Sequence, residues 1–333
     1  MAEFALASMT RSSDFRAYTV VMKRTTLLIV LCVLLLTGCG VRFAYNNLDW
    51  LVMRWVDRQV ALDADQRRQV EDIIDQRRAW HCASELPLYA DFLRELAADV
   101  EADRLDRDRL ADHGQTLARF GRRLLDAIHD DLIDVMLSLS DAQVEDLKES
   151  FAEANEEIRA EQVEVADSVR QRDRVRGMSR SLRRFYGSLN RDQLSRLETW
   201  AGELSRDDAL MLEDRLTWQA RLFEALELRD EPELFIREVA PLLEPGENWS
   251  ADYRAVLEAN RELTLDALAD VHELATVRQR RRLVSRLEGF ADDFERLRCF
   301  AEQPGPRSEG ICGHAPQMPC NEYRRYFVAG LIG

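Results

Sequence analysis

The sequence predicts an all-α protein, an elongated multi-helix bundle with a cleavable segment before it and an irregular tail after it. Three observations carry that prediction. Apolar residues recur every three or four positions from Tyr45 to Phe300. The run Leu117, Phe120, Leu124, Ile128, Leu132, Val135 and Leu139 is an example, and such spacing places its members on one face of a helix. Glycine and proline stay scarce until Pro304, Gly305, Pro306, Gly310, Gly313, Pro316 and Pro319 crowd the C-terminus. Finally, a helix-start pattern recurs in Leu62-Asp63-Ala64-Asp65-Gln66, Leu139-Ser140-Asp141-Ala142-Gln143 and Leu189-Asn190-Arg191-Asp192-Gln193. Each copy has a capping side chain directly after leucine and a glutamine three residues on, the arrangement of a capping box. Leu139 and Leu189 can also staple to Val144 and Leu194. Spacings of 77 and 50 residues are too unequal for a regular solenoid.

From the N-terminus, Lys23 and Arg24 precede an apolar run from Leu27 to Leu36, followed by Thr37, Gly38, Cys39 and Gly40. A charged start, about ten apolar residues and small residues before a cut make a signal peptide. The run is too short for a permanent span. Residues 22–38 therefore read as the signal peptide, with Met22 as the start and residues 1–21 as a misassigned upstream extension. Leu36-Thr37-Gly38-Cys39 resembles the lipobox of bacterial lipoproteins. That resemblance implies cleavage between Gly38 and Cys39, with a covalent diacylglycerol and an acyl chain such as palmitate on Cys39 and no other cofactor. Several chains together hold a protein stably on a bilayer. By resemblance to the sorting of enterobacterial lipoproteins, Gly40 in place of aspartate after the cysteine implies transfer to the periplasmic face of the outer membrane.

Helices are predicted over residues 46–60, 64–83, 86–102, 107–138, 141–186, 191–203, 206–229, 231–243, 250–270 and 272–301, with a bend at Gly177. Pro241, Pro245 and Gly246 read as a loop within one domain, residues 39–301, and residues 302–333 as a tail without regular structure. Trp50 and Trp55 are expected to pack the first helix onto the body, although such amphipathic aromatics also suit a membrane interface.

The chain has a net charge of −15, and loss of the four basic and two acidic residues before Cys39 makes it −17. Such acidity argues against a nucleic-acid partner. Basic residues nonetheless concentrate at Arg170, Arg172, Arg174, Arg176, Arg180, Arg183 and Arg184, and again at Arg278, Arg280, Arg281, Arg282 and Arg286. The first stretch is a candidate interaction surface for lipid phosphates or an acidic partner, set against the expectation of pairing within the molecule or a solvated face. Beyond Cys39 the cysteines are Cys82, Cys299, Cys312 and Cys320, an even set that permits two disulfides in an oxidising compartment. Cys312 with Cys320 and Cys82 with Cys299 are the pairs expected. The spacing of Cys312, His314 and Cys320 fits no structural zinc pattern, so no metal is expected.

No serine or cysteine nucleophile has an identifiable partner, and the histidines are scattered. Glu149-Ser150 resembles the acid dipeptide of helical lytic transglycosylases, but the glycine-rich sequence that should follow is missing. The boxes at Asp63, Ser140 and Asn190 resemble the Leu-Thr-x-x-Gln signature of small periplasmic stress chaperones, with the threonine replaced in every copy. A broader resemblance rests on Tyr45-Asn46-Asn47-Leu48-Asp49-Trp50-Leu51, Arg54-Trp55, the first box, Trp80-His81 and Glu85-Leu86-Pro87-Leu88-Tyr89. These residues look like a proteobacterial lipoprotein family known as domain of unknown function 6279, which implies a helical body and no activity to inherit. The expectation is a lipid-anchored envelope protein without enzyme chemistry, binding an unfolded client or an unknown envelope protein. A structural subunit of an envelope complex and a peptidoglycan-modifying enzyme are the alternatives.

Overall fold

The computed structural model describes Tyr45, residues 47–246 and residues 248–297. Gly38, Cys39, Cys299, Cys312, Cys320, the signal-peptide segment and the predicted tail lie outside the described residues. The chain divides into two compact units, residues 1–50 and 51–333. Of the first, the described part holds the opening residues of α1, with Trp50 exposed. The second is all-α, with no strand among the described residues.

Helix α1 spans Leu48–Gln59 and α2 spans Ala64–Trp80. In the second unit α1 buries Met53, while Trp55 is 38% exposed. For Trp55 the expected packing role is thus corrected. Met53 falls on the buried face of α1, and Trp55, two positions further on, points away from it. Helix α2 starts at the predicted box, with Asp63 accepting from the Asp65 and Gln66 amides.

A π-helical turn, His81–Glu85, joins α2 directly to α3, Leu86–Glu101, where two separate helices are predicted. Pro87 supplies the reason. It has no N–H, and its ring clashes with the carbonyl four residues back, so a wider turn carries the helix past it.

Helix α4, Arg107–Leu137, is 31 residues long and capped by Asp106. Helix α5, Asp141–Ile158, begins at the Ser140 box and ends in a second π turn, Arg159–Val163. Helix α6 starts afresh at Asp167 and runs to Tyr186, straight through Gly177. The single helix predicted over 141–186 is therefore broken near residues 164–166, not at glycine. Arg170, nine-tenths buried, makes the break tolerable. Its Nη2 donates to the Val165 carbonyl at 2.8 Å and the Gln162 carbonyl at 3.3 Å, capping groups the interrupted helix leaves without partners.

Helices α7 (Arg191–Glu203), α8 (Asp208–Leu226) and α9 (Pro232–Val239) follow, the last continuing into a 3₁₀ turn, Ala240–Leu243. Helix α10 covers Ala251–Glu273 and α11 covers Val277–Arg296. The corner between them sits at residues 274–276, because Thr276 caps α11.

The largest buried cluster joins α3, α6, α7, α10 and α11, with Leu197, Ala201, Val271 and Leu287 at its centre. A second, around Leu226, Phe235 and Val239, ties α8 and α9 to Ile133, Leu139 and Val144. A third and smaller one links Met53 to Val70 and Ile74.

Candidate functional site

The capping boxes occur as two pairs, the first of them reciprocal. Gln66 Oε1 accepts from its own Asp63 amide at 3.0 Å, and Gln143 Oε1 accepts from the Ser140 amide at 2.9 Å. The two side-chain amides also meet each other. Gln66 Nε2 donates to Gln143 Oε1 at 3.0 Å, and Gln143 Nε2 donates to Gln66 Oε1 at 2.6 Å. Each reaches on to a carbonyl before the other's cap, Ser138 at 2.7 Å and Ala61 at 2.7 Å.

Gln193 finds a comparable partner in Gln279, part of a fourth box at Thr276 that the sequence reading missed. Gln279 Nε2 donates to Gln193 Oε1 at 2.9 Å and to the Ser188 carbonyl at 2.8 Å, while Gln193 Nε2 donates to the Val271 carbonyl at 2.9 Å. The signal that could have found it is threonine followed three residues later by glutamine; the leucine used as a guide stands two residues before this cap, at Leu274. These amides are buried and hydrogen-bonded to protein, so the boxes start helices and cross-link them.

Two carboxylates are buried and ion-paired. Glu85, fully buried on the π turn, receives Arg123 Nε at 3.1 and 3.0 Å and Nη2 at 2.6 Å. Asp99 receives Arg109 Nε at 2.5 Å, Arg104 Nη2 at 2.9 Å and His113 Nε2 at 2.9 Å. Burial pushes the Asp99 carboxyl up, but its hydrogen bonds from Arg109, Arg104 and His113 outweigh that and hold it down at about 2. Neither residue stood out in a sequence so rich in Asp and Glu.

His272 is buried, with Nδ1 2.9 Å from the Tyr186 hydroxyl. Burial, reinforced by the Arg280 charge, lowers its pKa to about 4. An imidazole that resists protonation when folded but accepts a proton near pH 6.5 when unfolded must lose stability as pH falls from about 6.5 toward 4. A slope of roughly 1 kcal/mol per pH unit is expected in urea melts between pH 6.5 and 5, less than the limiting 1.4 because the unfolded imidazole is only half protonated at the top of that interval. His272→Gln should flatten that interval; an unchanged slope would remove His272 as its source.

The predicted arginine surface separates into paired and unpaired members. Arg174 meets Asp207 at 3.3 Å, and Arg176 meets Asp173 at 3.0 Å. Arg172 donates to the Ser168 carbonyl of its own helix at 3.0 Å. Arg180 is exposed, as are Arg183 and Arg184, and the last two have no carboxylate partner among the described residues. Intramolecular pairing thus accounts for the N-terminal half of the stretch, and the C-terminal half faces solvent.

Cys82 is buried and disulfide-bonded, to a partner outside the described residues. Its Sγ lies 3.8 Å from the Leu297 carbonyl oxygen, two residues short of Cys299 in sequence. Glu149 is exposed, and Ser150 Oγ donates to Gln59 Oε1 at 2.9 Å, a tie between α5 and α1. Among the described residues no group of His, Cys, Asp and Glu is placed to hold a metal ion. Two shallow hollows, about 260 and 220 Å³, lie beside α8, the larger lined by Arg159, Val163, Leu212 and Leu216.

One apolar surface stands out. Of the 31 residues of α4, only His113 and Ile133 are buried. Leu117, Leu124 and Leu132, seven and eight residues apart on one face, are 55%, 38% and 40% exposed. Phe120, beside them, turns inward to Tyr89 and Phe92, with ring centroids 4.7 and 5.7 Å apart. The face read from the periodicity exists, and part of it is left open.

A family model described as a family of unknown function, DUF6279, matches residues 58–254. No curated protein matches the chain, and no solved structure does.

Proposed function

The chain belongs to the DUF6279 family, and on that premise we propose that it is a lipid-anchored protein of the cell envelope that binds unfolded polypeptide without catalysing a reaction. The anchor rests on the signal-peptide pattern and Cys39, and the binding role rests on the leucines of α4. An exposed apolar stripe several turns long is unusual on a protein that has no use for it. Three leucines at helical spacing can take apolar side chains of an extended client.

The test is aggregation of a reduced, unfolded client in the presence of the full chain held in nanodiscs. Suppression at near-stoichiometric amounts is expected, with a loss of at least fivefold in Leu117→Ser/Leu124→Ser/Leu132→Ser. Absence of suppression by the unaltered chain, or an undiminished effect in the triple variant, would defeat the reading. Recovery of one stoichiometric envelope protein covering these leucines after gentle extraction would make the chain a subunit of a complex instead.

A further inference from the structure

Residues 174–191 and 277–287 together contain eleven arginines and no aspartate or glutamate, in a chain whose net charge is −15. The fold brings residues 184–190 of the first segment against residues 274–286, while Arg174 lies beside the corner between α7 and α8. Arg286 Nε donates to the Arg184 carbonyl at 3.2 Å, Gln279 Nε2 to the Ser188 carbonyl at 2.8 Å, and Asn190 Nδ2 to the Leu274 carbonyl at 3.0 Å. The Arg282 side chain lies over Gly187, where a Cβ would meet its Cδ at 3.1 Å. The corner between α6 and α7 and the corner between α10 and α11 are therefore a single surface.

Some of the arginines are occupied: Arg174 by Asp207, Arg176 by Asp173, and Arg280 by Asp103. Arg183, Arg184, Arg278, Arg281 and Arg282 have no carboxylate partner among the described residues. Asp103, which meets Arg280, brings negative charge to this surface, as do Asp192 and Glu273 beside the two corners in sequence and the exposed Glu288 just after the second segment. The same corner carries Val277, 67% exposed, and Leu274, 39% exposed. Two exposed aliphatic side chains at the same corner as exposed arginines match the layering of a bilayer surface, with acyl chains inside and phosphates outside. Guanidinium groups bind phosphate oxygens in a bidentate manner. An acidic protein surface would satisfy the arginines and leave Val277 and Leu274 without a counterpart.

We propose that this surface docks on a bilayer bearing anionic phospholipid headgroups, with Val277 and Leu274 entering the headgroup layer. The inference rests on the reading that the chain is tethered to a membrane, since a tether makes weak surface contacts count by raising the local concentration.

The experiment uses the full chain on vesicles of phosphatidylcholine alone and on vesicles that also contain phosphatidylglycerol. Hydrogen exchange is followed in residues 183–191 and 274–286. The anchor holds the chain on both vesicles, so the readout is local. Slower exchange at both corners is expected on the anionic vesicles only. It should weaken by roughly fivefold for each arginine removed, and vanish in Arg183→Gln/Arg184→Gln/Arg278→Gln/Arg281→Gln, which spares the packed Arg282. Val277→Asp, which leaves all the arginines in place, should also lose it. Equal exchange on the two vesicle types, or protection retained in the quadruple variant, would overturn the proposal. So would protection that grows with protein concentration in the absence of lipid, which would point to a second copy. Intact mass of the same preparation reports the lipid on Cys39 separately, so failure of the tether and failure of the docking face are told apart.

Discussion

Replacing Gln193 with leucine is expected to lower the unfolding free energy by about 4 kcal/mol. The side chain is fully buried. It accepts from the Asn190 amide at 3.0 Å and from Gln279 Nε2, and it donates to the Val271 carbonyl. Leucine fills nearly the same volume, so the loss comes from polar groups stranded away from water, each costing about 1–3 kcal/mol. Against a typical total of roughly 5–15 kcal/mol this is a large fraction, and the urea midpoint should fall with little change in slope. Gln193→Leu combined with Gln279→Leu should cost less than the two singles added, because removing both amides leaves fewer stranded groups than removing one. A strictly additive double variant would show that the two side chains do not act as a pair.

Asp99→Asn is the second large effect, expected at about 3 kcal/mol near neutral pH. Asparagine keeps the shape but places an NH₂ group where Arg109, Arg104 and His113 all donate. The wet side of the two arginines moderates the loss. Its pH dependence identifies the cause. The carboxyl is held at about 2, below its ordinary 3.8, so the stabilisation it provides is complete above about pH 4 and disappears as pH falls through 2. The gap between native and variant, measured by urea melts, should therefore shrink on acidification. A gap independent of pH would mean that lost packing, not lost charge, sets the penalty.

Most of the helical architecture is legible in the sequence, because its signals are local. Asp63, Ser140 and Asn190 announce helix starts through side chains that bond within four residues, and all three form the boxes expected. The break between α5 and α6 is different. Val163-Glu164-Val165-Ala166 holds neither glycine nor proline, and Arg170, which stabilises the interruption, acts from the following helix. The pairing of Gln66 with Gln143 was equally hidden, since a box looks the same whether its glutamine is met by water or by another glutamine across 77 residues. Periodicity put Leu117, Leu124 and Leu132 on one face of α4, but a period says nothing about whether a neighbour exists to cover that face. The arginine segments were visible as composition. Their convergence required the corner contacts between Asn190 and Leu274.

The paired boxes also bear on how this chain can change length. Each pair closes a stretch of chain, 77 residues in one case and 86 in the other. The entropy of closing such a loop grows only logarithmically, about 0.6 kcal/mol for a doubling. Whole helical turns can therefore be inserted between partners at small cost, whereas a single residue inserted between Asp63 and Gln66 would destroy both the cap and the pair. Insertions should thus be tolerated in the spans and rejected in the four-residue boxes, so unequal spacing is what this architecture permits.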